Sequence, residues 1–122
     1  MTPSRKVLVV DDDRQVLRYL CEVLDEAGYD TTSCDRFMDA KTLLGSTPPD
    51  LLITDIRLGA YNGLQLAFFA RDRHPGIHII VLTGYEDPTL RETAASSGAL
   101  FLVKPVRRET LLGAVASAFD AR

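Results

Sequence analysis

Residues 8–16 read LVVDDDRQV, an aliphatic run closing on three consecutive acids and then turning into a helical pattern. Short apolar runs of this kind recur at 51–54, 78–82 and 100–103, each followed by a longer stretch with apolar residues at three- and four-residue spacing. Run length and flanking breakers assign the former to strands and the latter to helices. The strands fall at 6–10, 29–34, 51–54, 78–82 and 100–103. The helices fall at about 14–27, from Asp35 as cap to near Gly45, and at 63–73, 88–97 and 107–119. Gly28 reads as a stop for the first helix, and Pro48 and Pro49 break the chain before strand three.

Strands one, three and four are apolar nearly throughout, which a parallel sheet with helices on both faces requires. Strand two is polar and belongs at an edge, where fewer neighbours cover it. The alternation therefore predicts an α/β fold, a doubly wound (βα)5 sheet within a single domain over residues 1–122. That length is enough to bury roughly two thirds of the unfolded surface without cross-links.

Composition removes several function classes. With 14 basic against 17 acidic residues the net charge is -3, and the arginines are scattered, with Arg107 and Arg108 the adjacent pair. A nucleic-acid surface should show a basic stripe, so direct nucleic-acid binding is not expected. No apolar run approaches the length of a membrane span. Cys21 and Cys34 lack metal-binding spacing, and with the polar start MTPSRK they read as reduced core thiols of a cytoplasmic protein.

Doubly wound sheets gather functional groups beyond the carboxyl ends of their strands. Strand one delivers Asp11, Asp12 and Asp13 there, strand two Cys34 and Asp35, strand three Asp55, strand four Thr83, and strand five Lys104 followed by Pro105. Clustered carboxylates repel unless a cation intervenes. Oxygen-only donors in this number suit Mg2+, which takes one or two protein carboxylates together with phosphate oxygens. Phosphoryl transfer asks mainly for positioning and charge neutralisation, and a carboxylate can be the nucleophile. Asp55 is the candidate. Asp13 has the simpler alternative of capping helix one.

In order and spacing, VLVVDDD, LLITD, Gly63 eight residues beyond Asp55, VLTG and FLVKP resemble the receiver domain of two-component response regulators over nearly the whole chain. The resemblance implies a flavodoxin-like sheet of order 2-1-3-4-5. It implies that Asp55 accepts a phosphoryl group from the phosphohistidine of a sensor histidine kinase or a histidine phosphotransfer protein. Mg2+ would be held by Asp11, Asp12, Asp55 and the backbone carbonyl of Arg57. Thr83 and Lys104 would contact phosphoryl oxygens, and Phe101 would be the switch aromatic that turns inward when Thr83 moves. A cis Lys104–Pro105 bond comes with the resemblance. So does a kinase contact through helix one and the loop after strand five, around Arg14, Arg18 and 105–107.

Such a domain catalyses only its own phosphorylation and dephosphorylation, and signals to an effector domain or output partner. Homodimerisation would use the face of helix four, strand five and helix five. Helix four is poor in inward apolar residues, which implies mobility. The chain departs from the pattern at Gly59, where a proline is common, at Phe101, which lacks a hydroxyl, and at Arg57 and Tyr85, which flank the path of attacking water. Two alternatives stand beside this reading. One is a haloacid dehalogenase-type phosphohydrolase using Asp11 and Asp13, although Gln15 breaks that motif. The other is a pseudo-receiver that binds without chemistry.

Overall fold

Four consecutive aliphatic residues, 7–10, can all be buried only where both faces of the sheet are covered. The computed structural model, which describes residues 4–120, covers both. Strands β1 (Lys6–Val10), β2 (Asp30–Cys34), β3 (Leu51–Asp55), β4 (His78–Thr83) and β5 (Leu100–Val103) form one sheet of order β2-β1-β3-β4-β5, parallel at every pairing. Helices α1 (Arg14–Glu26), α2 (Phe37–Ser46), α3 (Gly63–Arg73), α4 (Pro88–Ser96) and α5 (Arg108–Asp120) connect and flank them. The polar β2 lies at one edge, as its composition requires.

Side chains alternate across a strand, and the two cores follow that parity. Leu8, Val10, Leu52, Ile79, Val81 and Phe101 pack under α2, α3 and α4. Val7, Val9, Leu51, Ile53, Ile80 and Leu82 pack under α1 and α5, against Leu17, Leu20, Leu24, Leu111 and Val115. Each such side chain contributes about 1.5–3 kcal/mol on full burial, so the central strands anchor the rim on which the site stands. Among the described residues no helix is long and apolar enough to cross a membrane.

Helix entries set the rim locally. The Asp13 carboxylate accepts from the N–H groups of Gln15 and Val16 at 3.0 and 3.3 Å, so the third acid of the triplet is the cap of α1. At α3 the Asn62 side chain accepts from Leu64 N–H, while Gln65 Oε1 accepts from Asn62 N–H, a reciprocal cap.

The expected cap of α2 is a correction. Its N-cap is Arg36, without a side-chain cap bond, and Asp35 instead pairs with Arg14 Nε at 3.1 Å. A charged partner on the neighbouring helix competes successfully with a neutral N–H. Strands three and four each run one residue further than the sequence suggests, to Asp55 and Thr83. Both functional candidates are thus held by sheet pairing, Asp55 opposite Leu82 and Thr83 opposite Val103.

The segment after Asp55 also carries structure that the sequence does not announce. Arg57–Leu58 and Tyr61–Asn62 pair as a two-residue antiparallel hairpin. Gly59 sits in its turn at φ 63°, a left-handed conformation that glycine adopts without a side-chain clash. Tyr61 stacks on Phe37 of α2, with ring centroids 4.4 Å apart and planes at 8°.

Candidate functional site

Asp11, at the end of β1, is fully buried. One carboxylate oxygen, Oδ1, accepts from Asp13 N–H at 2.9 Å, and the other, Oδ2, pairs with Lys104 Nζ at 2.7 Å. Lys104 Nζ also lies 3.3 Å from Asp55 Oδ2, so one ammonium bridges the carboxylates of β1 and β3. Asp12 is exposed, and its Oδ2 accepts from Gly59 N–H at 3.2 Å, tying the hairpin turn to the rim. Asp11, Asp12 and Asp55 each present an oxygen within 4.8 Å of the others.

The electrostatics follow from this crowding. Burial first, and then the neighbouring Asp11 charge, push the Asp55 carboxyl above its ordinary range; Lys104 opposes them only in part. For Lys104, burial is the largest single influence and pushes downward. The hydrogen bond and charge of Asp11 together with those of Asp55 outweigh it, and the ammonium is held more tightly than usual. Ionised, the three carboxylates against one ammonium leave two negative charges uncompensated, the deficit a divalent cation fills. An all-oxygen donor set of this charge fits Mg2+.

Beside Asp55 a cavity of about 180 Å3 is lined by Asp55, Arg57, Thr83, Gly84, Tyr85 and Lys104. Thr83 is buried, and its carbonyl accepts from Lys104 N–H at 2.6 Å. The Lys104–Pro105 bond is cis, as the resemblance implies. Arg57 opens the hairpin with its guanidinium 5.7 Å from the Tyr85 ring centroid, so two of the residues lining the cavity form a cation–ring pair. Of the predicted site residues, Asp11, Asp12, Asp55, Arg57, Thr83 and Lys104 therefore converge.

Phe101 lies three residues before Lys104, near the start of β5, and is already buried, 9% exposed, within the core under α4. The ring expected to turn inward is inward in this structure. Cys34 is buried and Cys21 half-buried; burial is the main cause raising both thiols above their ordinary values, which leaves them poor nucleophiles.

Gly63 has a steric role that its position in the motif did not disclose. A Cβ there would stand 1.9 Å from the Asp55 carbonyl oxygen and 2.9 Å from Thr54 Oγ1. Gly63 N–H donates to Ile56 O at 2.6 Å, and Thr54 Oγ1 donates to Asp55 O at 2.9 Å, so the start of α3 rests directly on the backbone of the acceptor. Its fixed distance from Asp55 was the available signal.

A doubly wound parallel sheet with two acids after β1, one at the end of β3 and a lysine after β5 defines a rim built for a cation and an anionic group. The model of the response regulator receiver domain matches residues 7–116, and the chain belongs to that family of two-component signalling domains. It is 34% identical over 119 residues to the response regulator protein PilR of Pseudomonas aeruginosa, covering 97% of this chain and 27% of that one. Across four such relatives the chain spans between 27% and 65% of their length.

Among solved structures it resembles a response regulator of Burkholderia pseudomallei with a phosphorylated aspartic acid, calcium ion and citrate. The TM-score is 0.84, with 29% identity, 97% of this chain and 74% of that one covered. It also resembles the beryllofluoride-activated NtrC4 receiver domain dimer, at TM-score 0.88 and 27% identity, covering 94% and 96%.

Proposed function

We propose that Asp55 is the phosphoacceptor of this receiver domain, in a Mg2+-dependent transfer from a phosphohistidine on a sensor histidine kinase or a histidine phosphotransfer protein. The observation that carries the reading is the position of Lys104 Nζ, shared between Asp11 and Asp55 at the edge of a small cavity that also holds Thr83. An Asp55 carboxylate oxygen attacks phosphorus in line. The P–N bond breaks, its electron pair returns to the imidazole, and the ring takes up a proton. Lys104 neutralises one phosphoryl oxygen, and the Thr83 hydroxyl donates to another. Asp11, Asp12, Asp55 and the Arg57 carbonyl would hold Mg2+, which when bound would supply the remaining charge neutralisation. Attack of water at phosphorus breaks the Asp55 O–P bond, releases inorganic phosphate and restores the carboxylate, so the domain acts only on its own phosphorylation state.

The structure disfavours the hydrolase alternative, because Asp13, the second acid of that motif, is occupied in capping α1. Nothing in the site singles out a module without chemistry, since the acids, hydroxyl and amine are all brought together.

Docking of the phosphodonor is assigned to α1 and the loop after β5, at Arg14, Arg18 and 105–107. An apolar cavity of about 410 Å3 between Val16, Tyr19, Leu20, Pro105 and Val106 supports this. Signalling is assigned to the face of α4, β5 and α5, toward an effector domain, an output partner or a second copy of the chain, in a cytoplasmic setting.

Acetyl phosphate with Mg2+ should add one phosphoryl group by intact mass, and the addition should vanish with EDTA or in Asp55→Asn. Labelling of Asp55→Asn at the wild-type level overturns the assignment. Arg57 and Tyr85, paired guanidinium to ring in the cavity lining, are expected to slow water. The Arg57→Ala, Tyr85→Ala double variant should lose its phosphoryl group several-fold faster than wild type in a chase by intact mass, and equal or slower decay refutes that role.

A further inference from the structure

Helix α4 has little of its own to hold it against β5. Of its residues Pro88–Ser96 Ala94 alone is buried, and Thr93 and Ser96 donate their hydroxyl hydrogen bonds back to carbonyls of the same helix. Leu90, half-buried, packs on the core beside Ala94, and Arg91 is the charged side chain of the helix that reaches across to the ring of β5. Its guanidinium carbon stands 4.6 Å from the centroid of the Phe101 ring on β5. Both Glu86 oxygens grip the same guanidinium, Nε to Oε1 at 2.7 Å and Nη2 to Oε2 at 2.8 Å. The hydrogen bond from Arg91 holds the Glu86 carboxyl below its ordinary range. Glu86 itself lies three residues beyond Thr83, immediately before Asp87 caps α4.

A two-pronged ion pair fixes the plane of a guanidinium, whereas a lysine ammonium would swing free. A cation fixed over a ring face attracts it electrostatically. The geometry points to a latch: the Glu86–Arg91 pair closes over Phe101, holds the ring inward, and makes the loop after Thr83, α4 and β5 one mechanical unit. Arg91 and Glu86 are positioning residues, since neither lines the cavity at Asp55. Both side chains are about half exposed, 50% and 53%, so the latch shifts populations several-fold rather than locking a state, and salt weakens it. Its mechanical half stands on these contacts alone, while its coupling to the phosphoryl site rests on the reading of Asp55 and Thr83 above.

Amide hydrogen exchange by NMR on the metal-free protein tests the mechanical half, comparing wild type with Arg91→Gln, Glu86→Gln and the double variant. Exchange at Gly84, Tyr85 and Phe101 should rise several-fold in each single variant, and the double variant should go no further than either, because both remove one device. Wild-type exchange in the single variants, or effects that simply add, overturns the latch. In a second arm, the apparent affinity for beryllofluoride with Mg2+ should fall several-fold in Arg91→Gln, by reciprocity between ring position and ligand. Unchanged affinity in a variant with accelerated exchange overturns the coupling. A wild-type protein that takes up no beryllofluoride contradicts the Asp55 reading, while the exchange arm still decides the latch.

Discussion

Gly63→Ala is expected to cost about 3 kcal/mol or more and to abolish most phosphoryl labelling, although the substitution adds a single methyl group at a helix start. The new Cβ would meet backbone, at 1.9 Å from the Asp55 carbonyl oxygen and 2.9 Å from its carbon. No rotamer relieves such a contact, so the start of α3 and the end of β3 must separate. Overpacking of well-packed sites costs typically about 1–3 kcal/mol where side chains can yield, and here a strand end held by pairing to β4 must yield instead. The separation also breaks the 2.6 Å bond from Gly63 N–H to Ile56 O, the residue next to the acceptor.

Gly113→Ala makes the control. Position 113 lies inside α5 with nothing within 4 Å of the added Cβ, and the helix should gain about 1 kcal/mol from lost unfolded-state freedom. Thermal melts should therefore move in opposite directions. A Gly63→Ala protein that melts and labels like wild type refutes the close approach.

Lys104→Met should be the second large loss, and its dependence on pH identifies the cause. The ammonium is the partner of buried Asp11 and of Asp55 at 2.7 and 3.3 Å. Removing one member of a buried pair leaves its partner uncompensated, at about 3–5 kcal/mol; with the Lys104 side chain 20% exposed, the lower end, about 3 kcal/mol, is expected. Asp55 already has its proton affinity raised, by burial first and then by Asp11, and loss of Lys104 raises it further. A carboxyl whose folded value lies above its unfolded value contributes stability below the unfolded value, about 3.9, and loses it as pH rises through the folded value.

The melting-temperature gap between Lys104→Met and wild type should therefore widen from about pH 4 toward neutrality, and Mg2+ should narrow it. A gap independent of both would mean that lost packing of the lysine stem, not charge, is the cause. Labelling should fall in the variant at every pH.

How much of this was legible in the sequence depends on how local each cause is. Apolar run length and the polar β2 led to the layered sheet and its edge, because burial on two faces writes itself into single strands. The strand order came with the family resemblance. The rim acids, Thr83 and Lys104 were legible because the end of an apolar run is legible to within a residue, although two strands run one residue further, to Asp55 and Thr83. The hairpin at 57–62 was not, since two-residue strands carry no period. Asp35 was misplaced because capping is a local rule, whereas its actual partner, Arg14, is 21 residues away. The reason for Gly63 is a contact with carbonyl oxygen, which no side-chain pattern encodes. The Glu86–Arg91 pair, five residues apart across a helix start, escapes the i,i+3 and i,i+4 spacings by which surface pairs are usually found.

Reduction of the phosphorylated protein with borohydride tests the central assignment most directly, because it converts an aspartyl phosphate to homoserine and marks the acceptor in the chain itself. After acetyl phosphate and Mg2+, peptide mass spectrometry should find homoserine at position 55 and aspartate at positions 11 and 12. Homoserine at 11 or 12, or a phosphoryl label that survives reduction on a hydroxyl side chain, would contradict Asp55 as the acceptor.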